Sequence, residues 1–308
     1  MSPPPSSLHP ENVEMKAVNL RQASFYEGIQ TAEQRRRGVD GYAGNQQAGW
    51  LTRTWATLRS HRKKLLKQQG VRDVVETRVR GWLQDCAGGE ILEIGCFNGT
   101  RNTLWLMEHC SHYTGIDLSH SAIEVLRGKA QSAGLVGKVT LVAGDVLDFA
   151  PPRRFDLIYA QGVLHHFQHP EVLFAMLAEF VKPGGRLVFS DPAELNGVLK
   201  LARRLYRPFQ TDQAWEWPFT RRTVNAMSRH FELREAFGYG RFSTLLVPLI
   251  AFPGLGLLLS GVYQKLLRAE LGSSGADVGK VWKNAVVHGL AVAKASADVA
   301  PPAPEPMT

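Results

Sequence analysis

The amino-acid sequence predicts an α/β fold in which a mostly parallel sheet is covered by helices on both faces. Short apolar runs alternate with helical segments between residues 90 and 190, and such alternation is typical of a parallel sheet with crossover helices. A turn from Gly95 to Gly99 follows the first apolar run, and Asp117 ends the second. In nucleotide-binding α/β folds, a carboxylate about 20 residues past a glycine turn contacts ribose hydroxyls. The pattern therefore predicts a site for a nucleoside-containing cofactor.

Each predicted element has a pattern typical of its class. Ile91, Leu92 and Ile94 supply the buried first strand, and the turn that follows leads into a helix whose first N–H groups are unpaired. In chain order, the predicted elements are a strand near 90–95, a helix at 100–110, a strand at 112–117, a helix at 120–133, strands at 138–143 and 155–160, a helix at 170–181 and a strand at 185–190. The last two strands are expected at 231–238 and within the apolar run 281–293.

The composition predicts one large domain with appended elements. The chain has 308 residues, of which 44% are apolar, and this suits a globular α/β domain. Residues 1–15 and 295–308 are rich in Pro, Ser or Ala and are predicted to be disordered. The N-terminus lacks the basic and apolar regions of a secretory signal. The three cysteines show no disulfide or metal spacing, so a cytoplasmic location is expected: Cys86, Cys96 and Cys110.

The chain is basic, with a formal net charge of +8. Much of this charge lies between Arg35 and Arg80, for example in the runs at 35–37 and 62–64. A solvated helical face is the simplest interpretation of such runs. Binding of nucleic acid, of an anionic substrate or of a membrane surface are the sharper alternatives.

The glycine turn does not match the dinucleotide fingerprint G-x-G-x-x-G, because Phe97 stands where its middle glycine would be. The pattern Glu93-x-Gly95-x-x-x-Gly99 instead resembles the first motif of the S-adenosylmethionine-dependent methyltransferases with a Rossmann-like fold. The resemblance extends over most of residues 85–295. It continues through four more motifs in the same order, which are Tyr113–Ser119, Val142–Val146, Phe155–His166 and Val181–Phe189.

The resemblance implies S-adenosyl-L-methionine as the cofactor, a doubly wound, mostly parallel seven-stranded sheet and an antiparallel C-terminal edge strand. It implies that Asp117 binds the ribose and that Asp145 binds the adenine amino group, and carboxylates suit both tasks. Glu93 would favour the positively charged amino or sulfonium region, directly or through water. The cofactor-binding residues predicted in this way are Glu93, Gly95, Cys96, Asn98, Gly99, Asp117, Leu118, Asp145, Val146 and Gln161.

Candidate catalytic residues follow the fourth and fifth strands. His165 and His166 come directly after the fourth strand, and Asp191 ends the fifth. A histidine can accept a proton near neutral pH, and in some relatives that act on hydroxyl groups a His and an Asp at matching places form the base pair. The alternative is a histidine hydrogen-bonded to backbone at a strand exit. No metal site is predicted, because adjacent histidines point in different directions.

Three regions outside the core motifs are expected to shape the site. The helical segment 16–85 is predicted to cap the methyltransferase domain 86–294, with Tyr26, Tyr42 or Trp50 able to close over the cofactor. The insertion 191–230 is predicted to form a substrate lid. The apolar insertion 243–270 is too broken by Pro and Gly for a confident membrane span. Its segment 244–260 could pack on the domain, form a homodimer interface or contact a membrane surface.

The sequence therefore predicts methyl transfer to a small molecule such as a natural product, a quinone or a lipid-like compound, with oxygen favoured as acceptor. Nucleic-acid methylation is disfavoured, because Ala160-Gln161-Gly162-Val163 replaces the Asp/Asn-Pro-Pro-aromatic turn of base-methylating enzymes. A non-catalytic methyltransferase-fold module, membrane-associated or scaffolding, is the alternative from a different class. Phe97 and the segment 244–260 motivate it.

Overall fold

A central sheet of seven strands organises the part of the chain that the computed structural model describes, which is residues 10–35, 50–209, 215–250, 255–272 and 278–294. The strands are β1 (Glu90–Ile94), β2 (His112–Asp117), β3 (Val139–Ala143), β4 (Phe155–Gln161), β5 (Val181–Pro192), β6 (Phe231–Tyr239) and β7 (Val286–Ala293). Their order across the sheet is β3-β2-β1-β4-β5-β7-β6. Strands β1 to β5 pair in parallel, and β7 runs antiparallel to both of its neighbours.

The helices that accompany this sheet are α1 (Pro10–Arg35), α2 (Trp50–Gln68), α3 (Val71–Gln84), α4 (Arg101–His109), α5 (His120–Ser132), α6 (Pro170–Phe180), α7 (Gly197–Tyr206), α8 (Arg221–His230), α9 (Ser243–Ile250), α10 (Leu255–Gly272) and α11 (Val278–Val281). Helices α4, α5 and α6 lie between parallel strands, as crossover connections require. The predicted α/β fold is therefore confirmed, and most predicted element ends lie within two residues of the observed ones.

Two details differ from the sequence prediction. The C-terminal strand is antiparallel as predicted, but it is inserted between β5 and β6, so that β6 holds the edge of the sheet. The predicted disorder of residues 1–15 is wrong from Pro10 onward, where α1 begins. Proline is favoured at the first helical position, and burial of Met15 in the core ties this turn down. Residues 1–9 and 295–308 lie outside the described residues.

Alternate residues of the central strands enter different apolar clusters, one on each face of the sheet. On one face lie Ile91, Leu157 and Val188, while their chain neighbours Leu92, Ile158 and Phe189 lie on the other. Side chains of consecutive strand residues point to opposite faces, and a parallel sheet covered on both sides buries both sets. The carboxyl ends of the strands are thereby left as the edge where a ligand can bind.

The apolar insertion packs on the domain. Val247 and Ile250 of α9 are buried together with Tyr263 and Leu267 of α10, against Val71 at the start of α3. Among the described residues, no helix is long and apolar enough to cross a membrane. The turn into α9 is fixed by Glu270, whose carboxylate accepts hydrogen bonds from the backbone and side chain of residues 240–243.

Candidate active site

A cavity of about 700 Å³ opens along the carboxyl ends of the strands, within the size range of small-molecule sites. We call its β1–β3 end the cofactor lobe. This lobe is lined by Gly95, Phe97, Ile116, Asp117, Leu118, Gly144, Asp145 and Val146. The opposite end, the acceptor lobe, is lined by Leu58, Arg62, Leu199, Ala202, Arg203, Glu216, Thr244, Leu245, Val247, Pro248, Ala285 and Val286. His165 and His166, which follow β4, lie between the two lobes because β4 is central in the sheet.

The glycine turn brings backbone close to the cofactor lobe. Gly95 has φ 69°, and a Cβ there would lie 2.8 Å from the Val163 side chain, so a larger residue does not fit. Phe97 also has a positive φ of 44°, a conformation that is uncommon for bulky residues. The resemblance has glycine at this position, and Phe97 adopts a backbone conformation suited to glycine. Its ring lines the lobe and contacts Tyr26, with the ring centroids 6.5 Å apart.

Asp117 connects this turn to the start of α5. Its Oδ2 accepts a hydrogen bond from the Phe97 backbone N–H at 2.8 Å, and its Oδ1 accepts one from the Ser119 N–H at 2.9 Å. Burial raises the pKa of Asp117 in spite of these two bonds. Each carboxylate oxygen has a further lone pair, and the side chain lines the cavity. Asp117 can therefore accept hydrogen bonds from the hydroxyl groups of a ligand and keep its bonds from the Phe97 and Ser119 N–H groups.

Glu93 lies behind the cofactor lobe and is fully enclosed. Its carboxylate accepts hydrogen bonds from Thr103 Oγ1 at 2.9 Å and from the Tyr113 hydroxyl at 2.8 Å. Burial raises its pKa to about 7. Thr103 in turn forms a reciprocal cap with Thr100 at the start of α4. In this arrangement Glu93 holds the turn and the helix in place, and its oxygens do not line the cavity.

Helix α1 lines the cavity and contacts both the cofactor lobe and His166. Asn19 Nδ2 donates to the two Asp145 oxygens at 3.0 and 2.9 Å, and the Leu147 N–H donates to the same carboxylate. The Tyr26 hydroxyl oxygen lies 3.1 Å from His166 Nε2. Glu27 accepts from Ser119 and Ser121 at the start of α5, and these bonds lower its pKa. The N-terminal segment thus forms one wall of the site.

The two histidines are held in different ways. His166 Nδ1 lies 2.7 Å from the Trp215 carbonyl oxygen, so Nδ1 donates a hydrogen bond to it, and Nε2 is hydrogen-bonded to the Tyr26 hydroxyl. His165 Nδ1 lies 2.7 Å from Asp191 Oδ1, and both residues are buried. When the carboxylate accepts the Nδ1 proton, the lone pair of His165 is on Nε2.

Burial controls the protonation of the His165–Asp191 pair. It raises the pKa of Asp191 to about 8, although the His165 backbone N–H also donates to this carboxylate. The pair therefore gains basic character as the pH rises and Asp191 ionises. A His oriented by a buried carboxylate can accept a proton from a group that comes within hydrogen-bond reach of its free ring nitrogen.

The structure brings most, but not all, of the predicted residues to the cavity wall. The lining includes Gly95, Asp117, Leu118, Asp145, Val146, Gln161, His165 and His166. It does not include Glu93, Cys96, Asn98, Gly99 or Asp191. Cys96 is completely buried, and burial raises its thiol pKa well above the ordinary value. Within the described residues, no group of His, Cys, Asp or Glu is arranged to hold a metal ion.

Several lining residues were missed by the sequence analysis, and helical spacing is the signal that could have found them. Asn19 and Gln22 are buried on the same face of α1 as Met15 and Val18, so two polar residues interrupt an apolar stripe. Polar residues on the buried face of an amphipathic helix are candidates for a site. Tyr26 was named as a cap residue and lines the cavity. Tyr42 lies outside the described residues.

Comparison with known proteins places the chain in a family. The profile of a family described as a methyltransferase domain matches residues 59–238. The chain is 30% identical over 115 residues to the 27-O-demethylrifamycin SV methyltransferase of Amycolatopsis mediterranei, covering 37% of this chain and 42% of that protein. It is 30% identical over 104 residues to the ubiquinone biosynthesis O-methyltransferase of Azoarcus sp., covering 34% and 44%. The matched region thus spans less than half the length of these relatives.

The fold has a counterpart among solved structures. A proposed sarcosine dimethylglycine methyltransferase from Galdieria sulphuraria aligns with a TM-score of 0.50 and 13% identity, covering 74% of this chain and 87% of that one. At this identity the likeness concerns the fold alone. Since the matched profile covers more than half of the chain, the protein belongs to the methyltransferase domain family and has the Rossmann-like fold of its S-adenosylmethionine-dependent class.

Proposed function

We propose that this protein transfers the methyl group of S-adenosylmethionine to a hydroxyl oxygen of a small-molecule acceptor. One observation carries the proposal: a single cavity joins the strand-end carboxylate Asp117 to the His165–Asp191 pair. Methyl transfer needs the cofactor and the acceptor in one desolvated space, because alignment supplies much of the rate. A hydroxyl acceptor also benefits from a base beside it.

The residues of the cofactor lobe suit this cofactor. Asp117 retains acceptor capacity for the ribose hydroxyls, and Gly95 lines the lobe without a side chain. Asp145 lies next along the sheet edge, where an adenine amino group could donate to it. When bound, S-adenosylmethionine supplies a methyl group on a positively charged sulfur. The lobe needs no phosphate-binding cradle, and this is consistent with a phenylalanine at position 97.

The protein side chains would then act on the acceptor. His165 would accept the hydroxyl proton at Nε2, while Asp191 orients the ring and stabilises the imidazolium that forms. His166 is held by the Trp215 carbonyl and the Tyr26 hydroxyl and would form part of the wall. The apolar side chains of the acceptor lobe would exclude water from the reacting groups.

The relatives support oxygen as the methylated atom. Both are described as O-methylating enzymes, one acting on a rifamycin precursor and the other in ubiquinone biosynthesis. The lining of the acceptor lobe by leucine, valine, alanine and proline side chains suits an apolar acceptor of the natural-product, quinone or lipid-like classes.

Isothermal titration with S-adenosylmethionine and with its demethylated product tests the cofactor first. We expect micromolar binding of both, followed by methyl transfer to hydroxyl-bearing compounds in an acceptor screen. A folded sample that binds neither compound would refute the proposal. That result would favour the non-catalytic module, for which the bonds from Asn19 to Asp145 and the strained Phe97 provide a physical motive.

Contact with a membrane surface is a second proposal, supported by the outer face of α10. Leu255, Leu258 and Val262 are exposed at spacings of three and four residues, and Lys265 and Arg268 follow in the next two turns. An apolar helix face that ends in basic residues suits the surface of an anionic bilayer. Flotation with vesicles that contain phosphatidylserine tests it: Leu258→Glu should reduce binding, and binding that is unaffected would refute it. A homodimer that forms through this face stays a prediction, and light scattering tests it by measuring the molecular mass in solution.

A further inference from the structure

Arg62 differs from its basic neighbours on α2. Lys63 and Lys64 are exposed, whereas Arg62 is only partly accessible and lines the acceptor lobe. Its Nη2 atom is buried and has no hydrogen-bond partner among the described residues. A buried guanidinium N–H without an acceptor is costly. Within the described structure, the buried Nη2 atom of Arg62 therefore lacks the hydrogen-bond acceptor that would offset the cost of its burial.

Thr244 has a second buried polar atom without a hydrogen-bond partner in the described part of the chain, and it lines the same lobe as Arg62. Its Oγ1 is buried, has no hydrogen-bond partner among the described residues, and belongs to the cavity lining. Gly240, with φ +89°, lies between the two groups: a Cβ there would be 2.7 Å from Thr244 Oγ1 and 3.4 Å from Arg62 Nη2. The hydroxyl and the guanidinium thus border one small space that the absence of a side chain keeps open.

The charged and titratable groups around this space leave Arg62 without a counter-ion. The Glu270 carboxylate is used by residues 240–243, which donate four hydrogen bonds to it. Burial raises the pKa of Tyr239 and Tyr263, the two phenols close enough to feel the Arg62 charge, so both are neutral near pH 7. Among the described residues, no carboxylate lies within ion-pair distance of Arg62. Within the part of the chain that the structure describes, Arg62 therefore brings an unpaired positive charge to this space, and the Thr244 hydroxyl can donate a hydrogen bond beside it.

We propose that Arg62 and Thr244 form a subsite for an anionic oxygen group, a carboxylate or a phosphate, at one end of the acceptor. A guanidinium binds either group in a fork of parallel N–H donors, and the threonine hydroxyl adds another donor. Most of the other side chains that line the lobe are apolar, with Leu58, Leu199 and Leu245 among them, and Arg203 and Glu216 are its other charged lining residues. The acceptor class is thus an apolar molecule with an acidic end. This inference rests on the proposed function, since it assigns the acceptor of the same cavity.

Titration of alkyl probes into the full chain saturated with S-adenosylhomocysteine tests the subsite. The probes are decanoate, decyl phosphate and decanol, which share one alkyl chain and differ in the end group. We expect at least one of the two acids to bind about tenfold more tightly than decanol, or about 1.4 kcal/mol. Arg62→Gln should abolish this preference, and Thr244→Val should reduce it. The stronger of the two acids identifies carboxylate or phosphate as the group.

Lys64→Gln is the matched control, because it removes the same charge from an exposed position on the same helix. It should retain the preference for acids. Equal binding of decanol and the acids, or equal loss in Lys64→Gln and Arg62→Gln, would overturn the subsite. Arg62→Lys, which keeps the charge but not the fork, should bind the acids with intermediate affinity and guards against a variant that fails to fold. Affinity for S-adenosylhomocysteine, measured first on each sample, reports separately on the proposed function.

Discussion

The two lobes of the cavity are built in different ways. The cofactor lobe consists largely of residues that follow β1, β2 and β3 directly, so each side chain is placed by its own strand. The acceptor lobe is assembled from α2, α7, α9 and the start of β7, which span residues 50–293. Its shape therefore depends on tertiary packing. The difference teaches that the cofactor can be inferred from local sequence, whereas the acceptor must be inferred from contacts between distant segments.

The His165–Asp191 pair lies where the lobes meet, so its removal should have the largest effect and should disturb neither lobe. His165→Ala is expected to lower kcat by about 10²–10⁴, the usual contribution of a general base, in an assay with an acceptor from the screen. Affinity for S-adenosylhomocysteine should stay within about twofold of the parent value. Asp191→Asn should give a smaller loss, since it orients the base. Full activity of His165→Ala would remove the base from the mechanism.

A substitution at Glu93 tests whether this buried carboxyl group stabilises the turn and helix behind the cofactor lobe. Its folded pKa of about 7 lies above the model-compound value of 4.5, so its stabilising contribution is complete below about pH 4.5 and is lost as the pH rises through 7. Glu93→Gln imitates the protonated acid. Urea unfolding should show it equal to the parent near pH 4.5 and more stable by about 2–3 kcal/mol at pH 8. The exposed Glu108→Gln on α4 should show no such difference, and parallel pH curves for Glu93→Gln and the parent would contradict the assignment.

Asp117 tests the cavity side of the same lobe. Asp117→Ala should weaken binding of S-adenosylhomocysteine by about 1–3 kcal/mol, the scale of lost hydrogen bonds to a charged group. Calorimetric titration measures this loss. Binding of the alkyl probes in the acceptor lobe should persist, whereas Arg62→Gln should have the reverse pattern. If Asp117→Ala weakened both ligands equally, the two lobes would not be separate binding regions.

Asn19 gives the smallest expected effect, because it joins α1 to the cofactor lobe by two bonds to one carboxylate. Asn19→Ala should lower the free energy of unfolding by about 1 kcal/mol. Its exposed neighbour Leu20 provides the control, and Leu20→Ala should leave the unfolding curve unchanged. Equal unfolding curves for Asn19→Ala and the parent would mean that α1 is held by its apolar contacts alone.

The sequence predicted the features that depend on short stretches of chain. Asp117 was identified because it ends an apolar strand and lies about 20 residues past a glycine turn, and the cavity lining includes it. Glu93 and Cys96 belong to the same motif, but strand alternation turns Glu93 away from the cavity, and Cys96 is buried in the turn that follows the strand. A motif therefore indicated the correct place in the fold without showing which of its side chains reach a ligand.

Contacts between distant segments could not be predicted in the same way. Asn19 and Asp145 are 126 residues apart, and nothing in the spacing of either residue indicates the other. Arg62 belongs to a run of three basic residues that was interpreted mainly as a solvated face. Its distance of four residues from Leu58, and of three from Leu65, places it on the apolar side of α2. Periodicity carried the signal, but the partner surface that gives it meaning exists only in the folded protein.

The position of β7 has a consequence for the order in which the protein can be made. This strand fills the space between β5 and β6, yet it lies near the end of the described chain and is synthesised after both. Until residues 286–293 leave the ribosome, β5 presents an unpaired edge, and β6 lacks the strand to which it binds. Unpaired strand edges are prone to aggregation. The nascent chain can therefore complete the cofactor end of its sheet early, whereas the acceptor end must await the last strand.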